Sequence, residues 1–274
     1  MGPTREVEVR AVATVLLILS MILPASAQTY VSGEISTNTT WDLAGSPYIL
    51  EELTEVVNGS VLTIDPGVTV AFDGFYLFRA TDGGSIFAEG TQDQRILFTS
   101  NADTPAKDDY IWIGVYSSPA SSFAYCDFEY GRKGLDLDNS HPLIDHCEFR
   151  SIYTDGITCE DSSPTVTACD FHDLGSAFYI YAHHDVASPV VHGCNMYDFS
   201  NYGMYLTGFA DPPLVTIDAE GNWWGTAVEG EIEQEIRHDV DDASIYGHVD
   251  FDPWLTDTPV EAASWGAIKA MYLE

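Results

Sequence analysis

The sequence predicts an all-β solenoid, a coil of short strands stacked turn upon turn, and three observations carry that prediction. One phrase recurs five times between Ser121 and Gly225: SSFAYCDF, PLIDHCEF, PTVTACDF, PVVHGCNM and PLVTIDAE. Aligned, the copies put Cys126, Cys147, Cys169, Cys194 and Ile217 at one position, at spacings of 21, 22, 25 and 23 residues, a period that belongs to repeat architectures. Upstream, SVLTIDPGVTVAF, GGSIFAEGT, RILFTS and YIWIGV read as short strands closed by Pro, Gly, Asp or Asn, and helical spacing of apolar residues is absent from this region.

The chain begins with a segment that is not part of the coil. Arg5 and Arg10 precede the apolar run Ala11 to Leu23 and the small residues Ala25-Ser26-Ala27, which predicts a signal peptide over 1–27 cut before Gln28. Thirteen apolar residues fall short of the roughly 20 needed to cross a bilayer, and no later stretch could span one. The expected product is secreted or held at the cell surface, with no transmembrane segment once the signal is removed. Its formal charge of −33 repels phosphate backbones, which argues against nucleic acid and anionic membranes as partners. A hydrophobic fraction of 45% with 12% aromatics excludes a disordered chain.

In chain order, Gln28 to Asn58 is expected to form the opening rung and its cap, since a bare first rung would expose core and strand edge. Pro66-Gly67 and Gly83-Gly84 mark corners. Within the repeats, Cys126/Phe128, Cys147/Phe149, Cys169/Phe171 and Cys194/Met196 stand two apart and face the core together. Another apolar residue stands three ahead of each (Phe123, Ile144, Val166, Val191, Leu214), an odd offset that requires a bend between two strands of one rung. A second strand follows, with inward stacks Leu135/Ile157/Phe178/Met204 and Leu137/Cys159/Ile180/Leu206. After Asn222-Trp223-Trp224-Gly225, the segment EGEIEQEIRHDV spaces Ile232 and Ile236 as a short amphipathic helix that closes the last rung, followed by a strand in HVDFDPWL. The β-helix domain is thus predicted over 28–256. A tail over 257–274 reads either as a segment docked on the body or as an export or anchoring tag.

The order L-T-I-D-P-G-V-T-V-x-F, G-G-x-I-x-A-x-G-T, R-I-L-F-T-S and W-I-G over Val61 to Val115 resembles the opening of exported bacterial right-handed parallel β-helix proteins of the pectate-lyase-like superfamily. The repeats and the closing Asn-Trp-Trp-Gly segment extend the resemblance to Leu255. It implies a right-handed parallel β-helix of roughly eight rungs with terminal caps. It does not fix an activity, because the superfamily includes lyases, hydrolases, adhesins and proteins without chemistry. The superfamily's hydrolase signature, paired aspartates followed by Gly-His-Gly and Arg-x-Lys, does not occur here.

Candidate sites therefore come from outward positions. The five cysteines read as a buried ladder in place of disulfides, because stacked Cβ vectors run parallel, and no CxxC or HxxxH spacing supports zinc. His172, His183, His184 and His192 read as surface histidines. The stripe Asp127, Glu148, Asp170, Asn195 stacks like charges, so it must be solvated or bridged by a cation, calcium being the one cofactor considered. The second strand's outer face carries Asp136 and Asp138, then Thr158 and Glu160, then Tyr179 and Tyr181, then Tyr205 and Thr207. Rings beside carboxylates suit a polysaccharide or cell-surface glycan, with Tyr179, Tyr181, Tyr205, Asp138 and Glu160 as the binding set. The favoured reading is a non-catalytic, surface-associated glycan binder. The alternatives are a polysaccharide lyase or glycoside hydrolase using Asp136, Asp138 and Glu160, and a purely structural module of the cell envelope.

Overall fold

The computed structural model describes residues 28–118, 120–183, 186–209 and 214–257. The predicted signal peptide and all but the first residue of the predicted tail lie outside them. The described chain winds into a right-handed coil of about eight turns, each turn laying down three short strands, and every pairing between named strands is parallel. Sheet I contains Thr69–Phe72, Ile96–Ser100, Cys126–Glu129, Glu148–Arg150, Asp170–His172 and Asn195–Met196. Sheet II contains Phe78–Ala80, Ile113–Tyr116, Leu135–Asp138, Asp155–Glu160, Ser176–Tyr181, Met204–Thr207 and Ile236–Arg237. Strand Tyr48–Val56 runs through both sheets and joins them. Sheet III is nine-stranded, from Thr39–Trp41 to Gly247–Asp250. Among the described residues no helix is long and apolar enough to cross a membrane.

Corners, where sheets meet, are made by single residues in the left-handed region. The bend predicted before each cysteine is such a residue: Tyr125 (φ 49°), His146 (52°), Ala168 (50°) and Gly193 (66°). Tyr130, Ser151, Asp173 and Asp198 repeat the device between sheets I and II, and Ser117, Asn139 and Asp161 repeat it between sheets II and III. Each non-glycine in this region costs on the order of 1 kcal/mol, so the corner must hold it with other bonds.

At the corner between sheets III and I those bonds come from the cysteines, and at the corner between sheets II and III from the hydroxyls of Ser140 and Ser162. All five cysteines are free thiols and buried. The amide of Cys147 donates to Sγ of Cys169 (3.3 Å) and that of Cys169 to Sγ of Cys194 (3.4 Å). In turn, Sγ of Cys147 donates to the carbonyls of Phe123 and Asp145, and Sγ of Cys169 to that of Thr167. The row does not continue to Ile217. The amide of Cys194 donates to Oδ1 of Asn222 (2.8 Å), whose Nδ2 donates to the carbonyls of Val191 (2.6 Å) and Ala219 (2.7 Å). Asn222, preceded by left-handed Gly221 (φ 67°), is the fifth member of the ladder, 28 residues after Cys194. The phrase PLVTIDAE is out of register because the last rung is lengthened: Val190 pairs with Asp218, Ile217 pairs with Val249 inside sheet III, and Leu214 is 50% exposed instead of facing the core.

The core is built of self-stacking columns. Phe98, Phe128, Phe149 and Phe171 lie ring on ring at 5.0, 4.6 and 4.8 Å, close to strand spacing, and each contact adds roughly 0.5–1.5 kcal/mol beyond area burial. On sheet II the predicted inward columns register as read, Leu135↔Ile157↔Phe178↔Met204 and Leu137↔Cys159↔Ile180↔Leu206.

Both ends are covered. At the start, strand Thr29–Ile35 pairs with Tyr48–Val56, and Trp41 stacks on Tyr48 at 4.8 Å. At the finish the helix is shorter than its spacing predicts, Glu229–Gln234, because Ile236 belongs to a strand that pairs with Met204 and completes the inward column. His238 is buried there. Its Nδ1 accepts from the amide of Val249 (3.1 Å), so Nε2 carries the proton and donates to Glu233 (2.9 Å), tying the helix to the last strand.

The ladder predicts a specific substitution series. Asn222→Ala removes three buried hydrogen bonds and is expected to lower unfolding free energy by about 3 kcal/mol in urea titrations, at roughly 1 kcal/mol per bond. Asn222→Cys is expected to recover part of that loss, because cysteine fills the same corner in the preceding rungs. Equal destabilisation by Ala and Cys would contradict the shared role.

Candidate functional site

The outer surface of sheet II is set by register. One column runs Arg79, Gly114, Asp136, Thr158, Tyr179, Tyr205, Arg237, and the other Tyr116, Asp138, Glu160, Tyr181, Thr207. Neighbours within a column sit one strand spacing apart, ~4.8 Å. Every residue proposed from the sequence for this face is therefore on it, in two parallel rows.

Asp136 is held by its neighbours. Its carboxylate takes Nζ of Lys133 at 2.6 Å and the Tyr116 hydroxyl at 2.8 Å, while Nε1 of Trp112 donates to that same hydroxyl at 2.6 Å. Lys133 also lies 4.9 Å over the Trp112 ring. Burial, then the charge of Asp136, pushes the Tyr116 phenol up, which keeps it a donor. Asp155, at the start of the next strand, shares this surrounding. Burial pushes its carboxyl up to about 6, against the pull of Lys133 and with a further push from Asp136. Between Asp136 and Tyr179 the Thr158 hydroxyl is buried, with no hydrogen-bond partner among the described residues.

The sequence reading missed Trp112, Tyr116 and Asp155. Tyr116 was legible in principle: YIWIGVY is the same strand one rung earlier, and carrying the repeat register back to it places Tyr116 beside Asp138. Asp155 carries no such signal, since its register partner one rung on is Ser176 and no repeated carboxylate marks the position.

Asp138 and Glu160 are register neighbours, and both carboxyls are raised, first by partial burial, then by the charges of Asp161 and Asp136 at Asp138 and chiefly by that of Asp138 at Glu160. The tyrosines take an arrangement the sequence did not reveal. Rings of Tyr179 and Tyr205 stack face to face, 5.3 Å apart and 7° from parallel, and the guanidinium of Arg237 covers the next face at 4.8 Å. Rings lying flat on the sheet could not sit so close. They stand on edge and present hydroxyls outward, so this pair offers a sugar hydrogen bonds and not a platform. Tyr181 stands beside them and packs against His183 at 5.5 Å.

The acidic stripe on sheet I finds its cations within the chain. Asp127 pairs with Arg95 at 2.6 Å, Glu148 with Arg150 at 2.8 Å and with His172 at 3.0 Å, and Asp170 accepts from Asn195. The His172 bond holds Glu148 below the usual carboxylate range and raises His172. Arg95 and Arg150 thus offset part of the repulsion that stacked carboxylates would otherwise set up along this face. Of the histidine group, His184 lies outside the described residues. His192 is not a surface residue: it is buried, with Nε2 2.6 Å from Asp218.

A further grouping, His238, Asp239 and His248, brings possible ligand atoms within 4.8 Å of one another. It does not suit a metal. Both His238 nitrogens are already bonded, and the two imidazoles stack at 4.8 Å and 17°, which aims their lone pairs side by side instead of at one point.

Asp155 makes the site's protonation measurable. Its folded value lies above the ordinary 3.8, so the folded chain keeps a proton that the unfolded chain releases between about pH 4 and 6, and its contribution to stability falls as pH rises through that window. Asp155→Asn is expected to gain about 2 kcal/mol over the parent at pH 7.5 and nothing at pH 4. Urea unfolding at the two pH values checks this, and a pH-independent difference would refute the assignment.

Among known families, a model described as "Right handed beta helix region" matches residues 111–220. No curated protein and no solved structure matches the chain. The matched span covers the cysteine rungs and the central part of the sheet II columns, Gly114 to Thr207, and with the register of the strands it identifies the fold as a right-handed parallel β-helix.

Proposed function

We propose that the protein is an exported, surface-associated module that binds a polysaccharide along sheet II without cleaving it. The observation that supports this reading is the pair of registered columns. Tyr179 and Tyr205 hydroxyls, Tyr181, Asp138 and Glu160 repeat donors and acceptors rung by rung on one face, and a polymer of hydroxylated units repeats its own in the same way. Stacking on Arg237 holds the tyrosine edges in place before a ligand arrives, which lowers the ordering cost of binding. The net charge of −33 favours neutral chains over polyanionic ones.

One observation favours hydrolysis as a second reading. Asp155 holds its proton up to about 6 beside an Asp136 tied to Lys133, a division of roles that acid–base pairs use. Against it, Asp136 is already engaged by Lys133 and Tyr116.

A glycan array combined with reducing-sugar and unsaturated-product assays separates the readings. Binding of a neutral glycan without product is expected, with at least a tenfold loss of affinity in the Tyr179→Ala, Tyr205→Ala double variant, about 1.4 kcal/mol. Product formation abolished by Asp155→Asn would replace binding by hydrolysis. Neither binding nor product would leave the structural-module reading.

A further inference from the structure

A cavity of about 370 Å³ lies away from sheet II, between the last rung of sheet I and the closing helix. Its origin is a missing side chain. The outward column Glu129, Arg150, His172, Tyr197 ascends sheet I one residue per rung. The bridge between Asn195 and Trp223 puts Gly225 next in that column, where φ is 76° and no side chain follows. Tyr197 therefore stacks one ring face on His172, at 5.3 Å and 10° from parallel, and its other side opens on the space above Gly225. Tyr205, by contrast, has one face on Tyr179 and the Arg237 guanidinium over its ring.

The chemistry of the remaining wall is one-sided. Glu231, Gln234 and Glu235 of the closing segment and Asp198 line the cavity, and among the described residues no lysine, arginine or histidine does. Glu231 is engaged by Thr226. Glu235 has no ion-pair or side-chain hydrogen-bond partner among the described residues, and burial pushes its carboxyl up, as expected of a carboxylate left without a cation. Trp224, 3% exposed, forms part of the wall, and its indole N–H is buried with no hydrogen-bond partner among the described residues.

We infer that this cavity binds an amine-bearing sugar unit, the C–H face of the ring on Tyr197 and the ammonium against Glu235. The volume falls in the range of small-ligand sites. The aromatic face suits both a pyranose ring and a cation. The carboxylates without a basic partner favour an ammonium and exclude uronates by repulsion. The site stands on the cavity alone and does not rest on the binding proposed for sheet II.

The test is calorimetric titration with a β-1,4-linked glucosamine trimer and, as the neutral counterpart, cellotriose, in 0.15 M salt to suppress diffuse attraction to the acidic surface, where the Debye length is about 8 Å. The parent is expected to bind the glucosamine trimer about tenfold tighter than cellotriose, the factor that one cation–π contact or ion pair supplies. Tyr197→Ala and Glu235→Gln should each weaken it at least fivefold, while Tyr197→Phe, which keeps the ring, leaves it unchanged. Equal affinity for the two trimers, no binding of either, or binding indifferent to Tyr197→Ala and Glu235→Gln would overturn the assignment. Loss on Asp138→Asn with the cavity variants unaffected would also overturn it, placing the ligand on sheet II.

Discussion

At the corner between sheets III and I, a left-handed residue is followed at once by an inward group that bonds the backbone of its own rung and of its neighbours. Tyr125, His146, Ala168, Gly193 and Gly221 make the turn, and Cys126, Cys147, Cys169, Cys194 and Asn222 follow them. A thiol and a carboxamide do the same work there because both donate to carbonyls while accepting one amide. Amides that the bend removes from the strand ladder thus keep partners inside a core that admits no water. Everything else inherits its position from this row. A one-residue slip at the corner would turn every phenylalanine of the core column outward and every carboxylate of the outer columns inward.

The same vertical logic explains how so acidic a chain tolerates its charge. Each described lysine and arginine pairs with a carboxylate, most of them across rungs: Arg79 with Glu55, Arg95 with Asp127, Arg132 with Asp108, Arg150 with Glu129, Lys107 with Asp173. Exposed pairs of this kind contribute little individually. Their structural effect lies in placement, since they relieve repulsion where like charges would otherwise stack at rung spacing. Regions without a cation stand out by contrast, namely Asp138 with Glu160 on sheet II and Glu235 in the end cavity, and there the carboxyls are raised.

How much of this was legible in the sequence depended on range. Period-two alternation and the cysteine repeat are local patterns, so they located the inward columns and the outer row that carries Asp136 and Tyr179. The fifth repeat failed because a lengthened rung shifts the register, and the residue that continues the ladder, Asn222, shares hydrogen-bonding geometry with cysteine but not its letter. The helix was overextended because the spacing of Ile232 and Ile236 fits a helix, although Ile236 is placed by pairing with Met204. Ring orientation at Tyr179 and Tyr205, the Lys133 and Tyr116 grip on Asp136, and the cavity above Gly225 depend on contacts between rungs, which a linear pattern does not encode.

The most direct measurement of the corner ladder is native-state amide hydrogen exchange at Cys147, Cys169 and Cys194, whose N–H groups donate to Sγ or to Oδ1 of Asn222. If the ladder holds the turns together, these amides open only with the whole coil, and their exchange free energies match those of core strand amides such as Phe149 and Phe171. Exchange at the three cysteines by local opening, at free energies well below those of the neighbouring strands, would show that the corners are loose and that the columns are aligned by strand pairing alone.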